Sequence, residues 1–451
     1  MSAASTVPGA AQGTRAELAR AIAWLLLLPL VLVGPSLLPG QRFLPLAPVL
    51  FEPLASEQPA AAEDARFGAN FLASDALFPM LTDAREMRED LRRGELPLWS
   101  PTTALGAPLF AQTMFGALYP VHWLAFVLEP DVALGWIALV DLALAGLGLF
   151  LFVRRLGVSF GAALVGAAVF QTAGFASANL HDAMKVEAGL WLPWILLALE
   201  RLARGERRAL AWLSACVALA FFAGFAPIAV FVVAAAFVFA LARARSAESA
   251  VPFVARACLG LALGLALAAI QLLPAADAYA QSTRAERQDP VHAGDGVALA
   301  ASLTLIAPEL FGRADEAVFA PANAAVWWLA RPGERELAAN ANLLEWNLFA
   351  GSLALALALA AVFARPRAAL FPALLALVAL GFAQGWPGIA WLRAVPGFDL
   401  GSPARAGVLA WTAWAWLAAI GAEALIARER RAGAAALAAC AAFLALGLCL
   451  A

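Results

Sequence analysis

Eleven long apolar runs recur along the chain, and most of its charges lie between them. They fall at 21–38, 132–153, 158–176, 188–202, 209–223, 227–242, 253–274, 343–363, 369–383, 406–426 and 434–451. About 20 residues rising 1.5 Å each cross a hydrocarbon core of about 30 Å. Inside lipid every backbone amide must be bonded within its own segment, so such runs fold as helices. The sequence therefore predicts an all-α integral membrane protein with about eleven transmembrane helices. Hydrophobic residues make up 63% of the 451 and charged ones 14%, outside the range of water-soluble domains.

Lys and Arg collect in the short loops on the cytoplasmic side of a membrane. One alternate set of short loops carries fourteen arginines, from Arg154 and Arg155 through Arg201–Arg208, Arg243–Arg256 and Arg365–Arg367 to Arg428–Arg431. The opposite set holds Lys185, Arg393 and Arg405. With Arg15 and Arg20 ahead of the first span, residues 1–20 read as a cytoplasmic amino terminus. No small-x-small cleavage site follows 21–38, so it reads as a span and not as a signal peptide.

The remaining divisions follow: a first outer loop at 39–131, spans two to seven at 132–274, a second outer loop at 275–342 and spans eight to eleven at 343–451. The first loop opens with a Pro-, Ala- and Glu-rich stretch, 45–64, expected to be irregular, with order beginning near Phe67. From Asp75 to Arg93, Leu77, Met80, Leu81, Ala84, Met87 and Leu91 follow helical spacing and predict an amphipathic surface helix that stops at Gly94. On its other side Asp83, Glu86, Glu89 and Asp90 alternate with arginines, the pattern of a solvated face. Pro97 to Pro101, Gly106-Ala-Pro108 and Tyr119-Pro-Val-His-Trp123 supply turns and interfacial aromatics.

Cys216, Cys258, Cys440 and Cys449 lie in apolar runs without CxxC spacing and read as small core residues. No basic run with interleaved aromatics suggests nucleic acid. His122, His181 and His292 have no metal-ligand spacing, so the cofactor is unknown and a divalent metal stays open.

The polar segments resemble the YfhO-type family of bacterial polytopic membrane proteins, among the family C glycosyltransferases. The likeness rests on Asp75 with Pro79, Arg93-Gly-Glu-Leu-Pro-Leu-Trp-Ser-Pro101, Gly106-Ala-Pro108, Gln112 and Tyr119-Pro120. It continues through His181, Trp191-Leu-Pro-Trp194, Glu200-Arg201, Gly224-Phe-Ala-Pro227 and Gln271-Leu-Leu-Pro274 to Glu345-Trp-Asn347, Pro396-Gly-Phe398 and Ser402-Pro-Ala-Arg405. Ser100 stands where the family usually has Asn, and Gly401 where it often has Arg. Family members usually continue with more spans and an outer domain, so the expectation is either a chain ending in its last helix or a piece of a longer one.

The resemblance implies an enzyme of the bacterial cytoplasmic membrane with its site facing outward. It would move a sugar from a polyprenyl-phosphate carrier to a polysaccharide, glycolipid or protein acceptor. Such transfer needs a base for the acceptor hydroxyl and a cation for the leaving phosphate. Asp75 is the expected base; the alternative is that it only caps the surface helix. Arg405, at the outer mouth of a span, suits phosphate through its bidentate fork or simply reaches for the interface. His181, Gln112, Tyr119 and Trp99 are the further expected substrate contacts, and Lys185 and Arg284 are weaker cation candidates.

Asp141 and Glu423 lie within apolar runs, where an acid is costly enough to suggest function. Glu423 reads as structural, near Arg428; Asp141 stays open. Two other readings compete with transfer: a lipid-linked sugar transporter or flippase, which needs polar groups at the membrane midplane, and a non-catalytic assembly subunit.

Overall fold

The structure is a computed structural model that describes residues 15–66, 69–246, 249–282, 296–310 and 343–450. Phe67, Arg284 and His292 lie outside the described residues. Among those described there is no strand, only an isolated bridge between Ser100 and Ala107.

Each of the eleven apolar runs is largely helical, and among the described residues seven helices are both long and apolar enough to span a membrane. We number the main helices in chain order: α1 (Arg15–Val33), α2 (Pro79–Arg92), α3 (Pro130–Arg155), α4 (Phe160–Thr172), α5 (Ala183–Ala203), α6 (Ala209–Phe222), α7 (Ala226–Ala244), α8 (Ala250–Ala280), α9 (Ser352–Ala364), α10 (Pro366–Gln384), α11 (Gly407–Ile426) and α12 (Arg430–Leu450).

The expected count of eleven spans is thus not confirmed: by length and composition seven qualify among the described residues, and the other apolar helices fall short for physical reasons. With 14 and 13 residues, α6 and α9 reach only about 20 Å, short of the hydrocarbon core. Within α5 lie Lys185, Glu187, Glu200 and Arg201, and over its described residues α12 is not among the seven.

At the centre is α5. Nineteen of its 21 residues are buried, Lys185, Glu187 and Glu200 among them, because other helices wrap it. Against it pack α3, α6 and α7, while α11 joins this group to α9 and α10. Small residues permit close helix approach. Gly166 of α4 faces Ala415 and Ala419, and Gly421 of α11 lies against the Leu357 backbone.

The arginine-rich loops gather at one end. Arg154 bonds Glu17 at 2.7 Å and Arg243 bonds Glu200 at 2.7 Å. Arg155 pairs with Glu206, and Arg365 bonds Glu429 at 2.8 Å. Glu423 does not reach toward Arg428 but accepts the backbone N–H of Ser159 at 2.8 Å, closing the start of α4. The first loop covers the other end of the bundle.

Three expectations for that loop change. The Ala-rich part of 45–64 forms short helices, Leu54–Glu57 and Pro59–Arg66, in keeping with alanine's helix propensity. The surface helix begins at Pro79, with Phe78 in the capping position, so Asp75 does not cap it. Its charged side is not wholly solvated either: Asp83, Arg88 and Asp90 are buried. Arg88 bonds Glu129 at 2.5 Å, Arg93 bonds Asp90, and Glu86 accepts from Ser100 at 2.7 Å. The loop is thus tied to α2 and to the start of α3. Met80, Leu81, Ala84 and Met87 face inward as their spacing predicted, and Gly94 follows the helix at φ +76°.

Candidate functional site

At the loop end, charged residues from four segments converge. Asp75 sits in the 3-10 turn Phe71–Ala76, whose start is capped by the Asn70 side chain accepting from Leu72 N–H at 3.1 Å. Its carboxylate is half-buried and makes no side-chain hydrogen bond among the described residues. Its charge acts on Asp182, the residue that precedes α5.

Asp182 is buried; its Oδ2 accepts from Lys185 Nζ at 3.0 Å, and its Oδ1 has no donor. Burial raises its pKa above the usual carboxylate range, Lys185 opposes that, and the charges of Asp75 and Glu345 add to it. Glu345 Oε1 in turn accepts from Arg405 Nε at 3.1 Å. The Arg405 guanidinium lies 4.8 Å from the Phe225 ring centroid, within cation–π range. Thus Asp75, Asp182, Lys185, Glu345 and Arg405 form one electrostatic group.

His181 stacks on Phe43 at 4.4 Å between ring centroids, and burial pushes its pKa down to about 4. At neutral pH it is an uncharged imidazole. The other expected contacts stand apart from this group. Trp99 is exposed and packs over Gly106, and Gln112 is half-buried with no side-chain hydrogen bond among the described residues. Tyr119 is fully buried, so in this conformation it touches no substrate at the surface.

Beneath the loop, Tyr119 belongs to a second polar cluster. Its hydroxyl donates to Asp141 Oδ1 at 3.1 Å, and the Trp191 indole lies beside it. His122 Nε2 is 2.7 Å from Glu187 Oε1, its Nδ1 is 3.0 Å from the Gly116 carbonyl oxygen, and Phe115 stacks on the ring. The side chains of Tyr119, His122, Asp141 and Glu187 are at most 1% exposed. Burial lowers the His122 pKa to about 4 and raises that of Tyr119 well above its ordinary value. Among the described residues no group of three or more His, Cys, Asp or Glu side chains is arranged to hold a metal ion.

Reading the sequence had not assigned roles to Asp182, Glu345 or Glu187. Glu345 was visible as the first residue of Glu-Trp-Asn. Glu187 was visible as an acid at the head of an apolar run, the same signal that marked Asp141.

A family model described as "Bacterial membrane protein YfhO" matches residues 65–306, more than half of the chain. The chain belongs to the YfhO family. No curated protein and no solved structure gives a match. The YfhO match takes in Asp75, Asp182 and Lys185 and all four residues of the buried cluster, whereas Glu345 and Arg405 lie beyond it.

Proposed function

We propose that this YfhO-family chain is a membrane glycosyltransferase that moves a sugar from a polyprenyl-phosphate carrier to a cell-envelope acceptor, with Asp75 as general base. The observation that carries the reading is a contrast among three acids at the loop end. Asp182 and Glu345 each bind a cation, while Asp75 has no partner among the described residues. A carboxylate free of partners at a half-exposed position can accept a proton from an incoming hydroxyl.

In this reading the acceptor oxygen, losing its proton to Asp75, attacks the anomeric carbon. The bond from that carbon to the phosphate oxygen breaks, and the polyprenyl phosphate leaves with the bonding electrons. Arg405 stabilises the negative charge that develops there, since a guanidinium with one N–H committed to Glu345 keeps others for phosphate oxygens. The arginine-rich end supports a cytoplasmic placement for itself and an outward placement for the site. Metal dependence is tested by chelation.

The decisive experiment compares sugar transfer from a polyprenyl-phosphate donor by the purified native chain in lipid and by Asp75→Asn. Loss of at least about a hundredfold with unchanged melting supports the base; unchanged transfer removes Asp75 from the mechanism. A lipid-linked sugar carrier is the second reading, favoured by the two carboxyls of Asp141 and Glu187 within the bundle. Movement of the labelled lipid across vesicles without transfer would select it.

A further inference from the structure

The buried cluster under the first loop has more acceptors than visible donors. Asp141 Oδ2 and Glu187 Oε2 are buried with no donor, and the two carboxyls interact directly. As carboxylates they would set two like charges side by side where water does not reach, which is among the costliest arrangements a protein can hold. The charged or titratable groups acting on them are each other, Tyr119 and His122. The nearest cation along the same helix as Glu187, Lys185, is taken by Asp182.

The hydrogen-bond directions resolve this. A carbonyl oxygen only accepts, so His122 Nδ1–H donates to Gly116. The neutral ring then presents a lone pair on Nε2, and the contact with Glu187 Oε1 requires a hydrogen on that oxygen. Glu187 Oε2 is left as an acceptor, and since the Asp141 and Glu187 carboxyls interact, a hydrogen on the orphan Asp141 Oδ2 would satisfy it. Tyr119 O–H completes the series by donating to Asp141 Oδ1. Every link then points one way, from Tyr119 through Asp141, Glu187 and His122 to the Gly116 carbonyl, and both orphan oxygens are satisfied.

We propose that Asp141 and Glu187 form a buried proton-binding site that holds two protons and seats the first loop on the helix bundle. Tyr119, His122 and Gly116 belong to the loop, Asp141 to α3 and Glu187 to α5, so the chain of bonds is the polar joint between loop and bundle. The joint lies two residues along α5 from Lys185, and it holds the start of that helix in register with the charged group above. The assignment does not depend on the transferase reading and survives if that reading fails.

The test is infrared spectroscopy of the full chain in lipid vesicles at neutral pH, in H₂O and in D₂O. The native protein should show a protonated-carboxyl stretch that shifts in D₂O, and Asp141→Asn and Glu187→Gln should each remove a distinct part of it. A native spectrum without the band, or a band left intact in both variants, overturns the proposal. Should either variant fail to fold, Tyr119→Phe decides, because it removes only the donor to Asp141 Oδ1. A moved carboxyl frequency supports the site, and an unmoved one overturns it.

Discussion

Lys185 Nζ donates to Asp182 Oδ2 across 3.0 Å while both side chains are at most 7% exposed. Removing one member of a buried pair strands the other, at a cost of about 3–5 kcal/mol, whereas removing both together costs much less. Lys185→Met should therefore lower the melting temperature sharply, and Lys185→Met with Asp182→Leu should recover most of the loss. Equal melting of the single and double variants would mean that the pair is not coupled.

Arg405 performs two tasks that a lysine cannot combine. Its Nε–H is bonded to Glu345, and its guanidinium faces Phe225. Arg405→Lys should cost about 1–2 kcal/mol of stability, the size of a partly buried ion pair with a cation–π contact. In a double-mutant cycle with Glu345→Gln the two losses should be less than additive, because one bond is being removed twice. Strict additivity would show that Glu345 and Arg405 act separately.

Helix positions were legible because apolar runs leave the backbone no other choice, and α2 was legible from the spacing of Met80, Leu81, Ala84 and Met87. The number of spans is less readily read, since a helix such as α6 is almost wholly apolar yet shorter than a hydrocarbon core. Asp75 and Arg405 were found at one end because loop alternation predicts which ends coincide. The partners of Arg405 and His122 were not legible: the pairing of Glu345 with Arg405 spans 60 residues, and that of His122 with Glu187 spans 65. No local pattern encodes contacts at that separation. The burial of Tyr119 was not legible, because a Tyr-Pro turn has the same sequence whether its hydroxyl faces water or an interior carboxyl.

Asp83 supplies a pH dependence with a definite sign. Burial first, and the nearby charge of Glu86 second, raise its pKa from 3.8 to about 7. The folded chain therefore holds this proton more tightly than the unfolded chain. The resulting stabilisation is complete below about pH 4 and is lost as the pH rises through about 7. The difference corresponds to at most about 4 kcal/mol, which solvent screening of a partly buried group reduces. Asp83→Asn cannot titrate there, so relative to it the native chain should lose stability between pH 4 and pH 8. Parallel melting curves for the two proteins across that range would refute the assignment.

The seat of the first loop leads to the last prediction. Gly224 follows α6 at φ +95°, a region that side-chain-bearing residues rarely adopt, and a Cβ placed there would overlap the Thr113 carbonyl oxygen. Opposite it, a Cβ on Gly116 would overlap the Phe222 carbonyl oxygen, so two backbones meet with no room for a methyl group on either side. The contact lies at the same stretch of loop that bears Tyr119 and His122. Gly224→Ala combines backbone strain with a backbone clash and should cost about 3 kcal/mol or more. Because the clash pushes the loop off the bundle, the same variant should raise the hydrogen-exchange rate of residues 113–123 while leaving α9 to α11 protected. Uniform exchange across the whole chain would instead mean that the loop and the bundle open as one unit.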